Sequence, residues 1–424
     1  MSIRLDSVDT QLTALADHCR EEALSLLRQM IAFDSRGIEQ GVRGNEGKAQ
    51  QFMAAQLRKL GAAVDVFEPD NRRIKKYADF NPGHDYHGRP NVAATFKGRG
   101  GGKSLILNGH IDTVSAGDVS AWKHDPYGGE IENGRLIGLG AVDMKGGLAA
   151  MLMAMRIIKR AGIKLRGDVI FQSVVDEEGG GNGTLACVER GYKADAALIA
   201  EPTSLAICCA HRGAMHAGIQ VRGLTTHASL KSKGVNAIEK MMLILGALED
   251  LNRQWQVSKK HALLPSPAIT CCQIAGGTGA SIIPAACEAK INVKYLPAEN
   301  APDVRAEVEK RVRDSARRDK WLKKNPPQII WLLNTPPYET STAHPLVSVL
   351  RRTIAGLKGK PKITGLPSGA DARILNNIGK TPSFIAGPGE LAQAHHIDEA
   401  LPIAEYLQSI KIFAVAICRW AETN

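Results

Sequence analysis

The sequence predicts an α/β protein with a mostly parallel sheet, helices on both faces and a smaller α+β insertion of ferredoxin-like order. Three observations lead there. Up to about residue 212, apolar runs of strand length alternate with helix-length segments, the pattern that builds a parallel sheet. From 213 to about 334 the order becomes β-α-β-β-α-β, which fits a split-βαβ unit. The β/α texture returns over 345–424. The expected division is 1–212 with 335–424 as one domain, and 213–334 as the other.

Residues 10–33 and 47–60 read as helices on their apolar spacing. "AAVDVFE" and "NVAATFKG" read as strands, and the polar, Pro- and Gly-bearing stretch 67–90 between them reads as a surface loop. "KSLILNGHIDTV" is an apolar run bounded by glycines and a polar loop, hence a buried strand. "DMKGGLAAMLMAMRIIKRAG" is a helix ending at Gly162. "DVIFQSVVDEE" and "AALIAEPT" are two further buried strands. After Arg212, "GAMHAGIQVRG" alternates as a half-exposed strand, and "VNAIEKMMLILGALEDLNRQ" is an amphipathic helix. "PAITCCQIAGG" and "CEAKINVKYLP" are strands. The next helix has Pro302 in its first turn and Val304, Val308, Val312 and Ala316 on one face.

Composition narrows the function. The 424 residues carry 54 Lys+Arg against 43 Asp+Glu, a net charge of +11. The basic residues are scattered and aromatics are only 5%, so a stacking platform for nucleic acid is not expected. A positive protein suits an anionic small substrate. The eight cysteines show no C-x-x-C pair and sit mostly in apolar stretches, which points to buried free thiols in a reducing compartment. The first residues lack an apolar signal core, and no apolar run is long enough to span a bilayer. A soluble, cytoplasmic protein without a membrane partner is the expectation.

Acid and imidazole groups gather where an α/β sheet places its ligands, at the carboxyl ends of strands. His110 and Asp112 end "LILNGHIDTV". Residues i and i+2 of a strand share a face, so the Asp112 carboxylate is expected to brace the His110 ring. Asp143 opens the helix after "GLGAVDMKGG", where flanking glycines allow close backbone approach. Glu177 and Glu178 end "VIFQSVVDEEGG" and point to opposite sides, free to do different jobs. Glu201 ends "AALIAEPT", and His395 lies in "GPGELAQAHHIDEALP". Converging carboxylates without matching Arg or Lys repel unless a cation sits among them. Mixed His and carboxylate donors suit zinc or a similar divalent ion.

Together "LILNGHIDTV", "GLGAVDMKGGLAAM", "VVDEEGG", "IAEPT" and "GPGELAQAHHIDE" resemble the acetylornithine deacetylase, succinyl-diaminopimelate desuccinylase and aminoacylase family of di-metal hydrolases. The resemblance covers nearly the whole chain, with the motifs in family order. It implies two divalent ions, zinc with cobalt or manganese as alternatives. His110, Asp143 and Glu201 would hold one; Asp143, Glu178 and His395, rather than His396, would hold the other. It also implies Glu177 as general base, Asp112 as the partner of His110, and His227 of "GLTTHASL" as a lid histidine reaching a partner subunit's site. The 213–334 insertion would then be a dimerisation lid in a homodimer. Arg373 of "GLPSGADARIL" would meet a substrate carboxylate.

Two positions depart from the pattern. Ser281 stands where relatives commonly have Asn, and Lys294 where they have Arg; the resemblance places both near substrate. Lys294 lacks the planar fork that matches a carboxylate, and 67–90 is longer and more basic than expected of small deacetylases. The expected function is a metal-dependent amidohydrolase removing a short acyl group from an amino acid or similar amine. The alternatives are hydrolysis of a formamide, carbamoyl or aromatic-amine C–N bond, a di- or aminopeptidase, and a non-catalytic binding protein on the same fold.

Overall fold

A strand flanked by neighbours on both edges and helices on both faces has no side free for polar side chains. Leu105–His110 in the computed structural model is such a strand, buried along its whole length. The structure describes residues 7–37 and 43–422; residues 1–6, part of the stretch without an apolar signal core, lie outside them. Two units emerge: Met1–Cys209 with Glu339–Leu366 and Ala370–Asn424, and Ala210–Tyr338 with Pro367–Gly369.

The larger unit is built on a nine-stranded sheet. Its centre runs Val169–Val174, Leu105–His110, Ala196–Ile199, Ser383–Ile385, all parallel. Antiparallel strands Asn91–Phe96 and Ala63–Phe67 extend one side. Neighbouring residues of one strand show that both faces are covered. Asn108 donates to Thr184 of the helix Asn182–Glu189. A Cβ on Gly109 would lie 2.7 Å from Met144 and 3.0 Å from Leu148, at the start of the helix Gly146–Arg160. Since consecutive residues face opposite ways, the helices flank the sheet from both sides.

In the smaller unit the four strands order as Ala268–Gly276, Ala286–Tyr295, Gly213–Arg222, Gln328–Thr335, all antiparallel. Helices Ala237–Ser258 and Ala301–Arg318 pack on the face carrying Met215, Ala217, Ile219 and Val221. Val304, Val308, Val312 and Ala316 are all buried there.

Three expectations need correction. The helix read over 10–33 is two, Ser7–His18 and Arg20–Ile31, parted at Cys19, whose ψ of 13° leaves the helical range. The stretch 67–90 is not a plain surface loop: it holds a short helix, Asn71–Ile74, and buries Ile74, Tyr86 and Arg89. None of the eight cysteines is in a disulfide, but Cys271 and Cys272 are exposed because their strand is the sheet's edge.

Candidate metal centre and active site

Where the central strands end, the chain turns sharply, and close packing brings the turns together. A Cβ on Gly147 would lie 2.1 Å from the Ala200 carbonyl oxygen. Only glycine lets the helix start sit that near the strand end carrying Glu201. Asp143 lies in the wide turn Ala141–Lys145 just before this helix, and its carboxylate is the hub. Asp143 Oδ1 is 3.0 Å from His110 Nε2, which is also 3.8 Å from Glu201 Oε1. Asp143 Oδ2 is 3.4 Å from His395 Nε2, which is 2.8 Å from Glu178 Oε1. One carboxylate thus offers an oxygen to each of two histidines, and each of those Nε2 atoms meets one further carboxylate. His396 is exposed beside them.

The electrostatics follow from this crowding. Burial opposes charge on His110, yet its hydrogen bond to Asp143 and the neighbouring carboxylates hold it well above the ordinary imidazole range. His395 is pushed up to about 11 by its bonds to Asp143 and Glu178. Against the effect of burial, hydrogen bonds from both histidines hold Asp143 far below the usual carboxylate range. Burial, then the Asp143 charge, raises Glu201 well above its ordinary value.

These donors fit divalent ions. His110, Asp143 and Glu178 each offer a ligand atom within 4.8 Å of the others. The donor set is imidazole nitrogen and carboxylate oxygen, suited to zinc-type ions. The second nitrogen of His110 is held by the Asp112 backbone carbonyl at 2.8 Å, which fixes the ring with Nε2 inward.

That last contact corrects an expectation. The Asp112 carboxylate is 3.7 Å from His110 Nδ1; its oxygens instead accept from the amides of Glu177 at 3.3 Å and Glu178 at 3.1 Å. The strand ends at His110 and its last ladder bond is made by the Ile111 amide to the Val174 carbonyl at 2.9 Å, so the two-residue alternation no longer governs where Asp112 points. Arg373 needs a correction too. It is 3% exposed and donates to Asp79 at 2.8 Å and to the Gly180 carbonyl at 2.7 Å, so its guanidinium is committed within the protein.

Glu177 sits beside the cluster with no hydrogen bond to its carboxyl among the described residues. Burial raises it well above the usual range, with the charges of Asp371, Glu201 and Glu178 adding to the shift against His110. In the smaller unit, His227 is exposed and its Nδ1 takes the Ser229 hydroxyl at 2.7 Å and amide at 3.2 Å, which leaves the proton on Nε2. Ser281 is exposed and accepts from the Ala228 amide at 2.8 Å. Lys294 is half-buried, and burial followed by the nearby Arg212 lowers its pKa.

Sequence reasoning missed Glu399, although it stands in the same motif as His395. Its carboxylate accepts from the amides of Gly140, Val142 and Asp143 at 2.6–3.0 Å and so sets the turn that carries Asp143. Burial pushes it up to about 7. Glu399→Gln is expected to weaken metal affinity by about 10- to 100-fold, the usual effect of losing such a support. Competition with a chromophoric chelator measures this; wild-type affinity would contradict the role.

The profile of peptidase family M20/M25/M40 matches residues 106–419. The chain is 32% identical over 438 residues to N-formyl-4-amino-5-aminomethyl-2-methylpyrimidine deformylase of Halalkalibacterium halodurans, covering 98% of each chain. It is 28% identical to acetylornithine deacetylase of Photorhabdus laumondii, covering 95% of this chain and 98% of that one. The crystal structure of aminopeptidase PepT from Bacillus cereus superposes with a TM-score of 0.74 at 21% identity, covering 95% of this chain and 99% of that one.

Proposed function

The chain belongs to peptidase family M20/M25/M40, a hydrolase of carbon–nitrogen bonds, and we propose that it removes a formyl group from an aminomethyl nitrogen on a small pyrimidine, with two divalent ions. The observation that carries the two-ion reading is Asp143 presenting one oxygen to each of two histidines. His110, Asp143 and Glu201 would hold one ion; Asp143, Glu178 and His395 the other. When bound, the ions would polarise the formyl oxygen and acidify water.

The protein's own groups do the rest. Glu177, whose carboxyl makes no hydrogen bond among the described residues and which lies next to the donor cluster, takes a proton from the attacking water. The water oxygen bonds to the formyl carbon, the C–N bond breaks, and Glu177 returns the proton to the leaving nitrogen. Formate and a free amine result. His227, with its proton on Nε2, is assigned the donor to the oxyanion, supplied by a second copy of the chain in a homodimer. The exposed edge strand Ala268–Gly276 and exposed Met242 and Leu243 support such a pairing. Six buried cysteines outside any disulfide fit a reducing, cytoplasmic setting. No described helix is long and apolar enough to cross a membrane.

The substrate assignment rests on the 32% relative and on the commitment of Arg373 to Asp79, which leaves that arginine unavailable to an amino-acid carboxylate. The test is hydrolysis of the N-formyl aminomethylpyrimidine beside N-acetylornithine. We expect kcat/KM to favour the pyrimidine by about 100-fold or more, the scale that matched pocket contacts set. Preference for N-acetylornithine would overturn the assignment.

A further inference from the structure

Glu177 and Glu178 lie on a turn, residues 176–182, whose backbone is not the one most residues choose. Asp176 has φ +68°, Gly180 +123° and Gly181 +90°, and a non-glycine residue in the left-handed region needs its surroundings to hold it there. The turn closes on itself with two bonds, Gly181 N to Asp176 O at 2.7 Å and Gly180 N to Glu177 O at 2.8 Å. Asp112 holds it from one side through the two glutamate amides. The other side is held by the stretch 67–90.

The Asp176 carboxylate is fully buried and requires donors. His84 Nδ1 lies 2.9 Å from both its oxygens, and the Tyr86 hydroxyl donates to Oδ2 at 2.6 Å. Asn81 donates from its side chain to the Gly179 carbonyl and from its amide to Asn182 Oδ1 at 3.0 Å. Asn182 returns bonds to the Asn81 carbonyl and the Tyr86 hydroxyl, both at 2.7 Å. The fit is close: a Cβ on Gly179 would lie 2.8 Å from the His84 ring, and one on Gly180 would lie 2.9 Å from Asn81.

We infer that the 67–90 stretch is a working part of the active site, in which His84 and Tyr86 are positioning residues that hold Glu177 toward the reacting atoms through Asp176. The inference rests on the reading of Glu177 as general base. Of the five donors assigned to the ions, only Glu178 lies on the turn that this stretch grips. The others stand on the strand end at 110, the turn at 143, the strand end at 201 and the loop at 395. Loosening the latch therefore displaces the base while four of the five donors stay where they are, and a displacement near 1 Å costs about 100-fold in rate.

The experiment is steady-state kinetics of the metal-loaded enzyme on the formylated aminopyrimidine with His84→Ala, His84→Asn, Tyr86→Phe and Glu177→Gln. His84→Ala is expected to lower kcat by about 10- to 100-fold with KM nearly unchanged and full metal content. His84→Asn places an amide nitrogen where Nδ1 stood and recovers most of kcat. Tyr86→Phe removes one bond to Asp176 and lowers kcat in the same way, carrying the test if His84→Ala does not fold. Wild-type kcat in the alanine variant overturns the inference, even with a lower melting temperature. So does a raised KM at unchanged kcat, which would mark substrate contact, and so does failure of asparagine to restore kcat. If Glu177→Gln keeps full turnover, the base assignment itself fails; if only Glu177→Gln is inactive, the latch alone fails.

Discussion

Glu177→Gln is expected to lower kcat by about 10²- to 10⁴-fold, the range spanned by a positioned general base, while the protein keeps its fold and its full metal content. The substitution preserves shape and removes only the capacity to accept a proton. The Glu177 carboxyl accepts no hydrogen bond from the described residues, and its backbone bonds to Gly180 and Asp112 survive the substitution, so no structural network is lost. Its neighbour Glu178, which meets His395 at 2.8 Å, is untouched, and the amides of both glutamates still reach Asp112. Metal content by atomic emission and kcat by formate release check the two halves separately. Retained turnover would remove Glu177 from the mechanism; lost metal would move it among the ligands.

Removal of the ions by a chelator is expected to abolish turnover, with recovery on adding zinc, cobalt or manganese. Rebinding is expected to release protons. In the metal-free chain His395 is pushed up to about 11 by Asp143 and then Glu178, so it is protonated near neutrality. A metal-bound imidazole must be neutral, and binding expels that proton. Affinity therefore rises with pH, by about tenfold per unit for each proton released. Without ions the same raised group contributes stability that is fully present below its ordinary value of 6.5 and is lost as pH rises through about 11. Calorimetric titration of the metal in buffers of different ionisation enthalpy reads the proton count. Heats independent of buffer would contradict the arrangement of His395 between two carboxylates.

The positions of the donors were legible because strand ends are local features. A buried apolar run that stops at His110, Glu178 or Glu201 declares its own carboxyl end, and the topology of a parallel sheet carries those ends to one side. What the sequence hid depends on partners far along the chain. Arg373 reads as a loop arginine open to substrate, yet its partner Asp79 is 294 residues away, in a stretch whose polar composition signals solvent. His84 and Tyr86 lie in that same stretch, and their buried partner Asp176 looks in sequence like one more strand-end acid. Asp112 was misdirected by assuming strand periodicity past the last ladder bond, which the Ile111 amide makes. Cys271 and Cys272 read as core because an edge strand carries the same apolar residues as a central one.

The central claim is a cage for two ions sharing Asp143. Anomalous diffraction from zinc-loaded crystals, collected on both sides of the metal edge, tests it most directly. Two peaks are expected, one among His110, Asp143 and Glu201 and one among Asp143, Glu178 and His395. A single peak, or peaks away from Asp143, would contradict it.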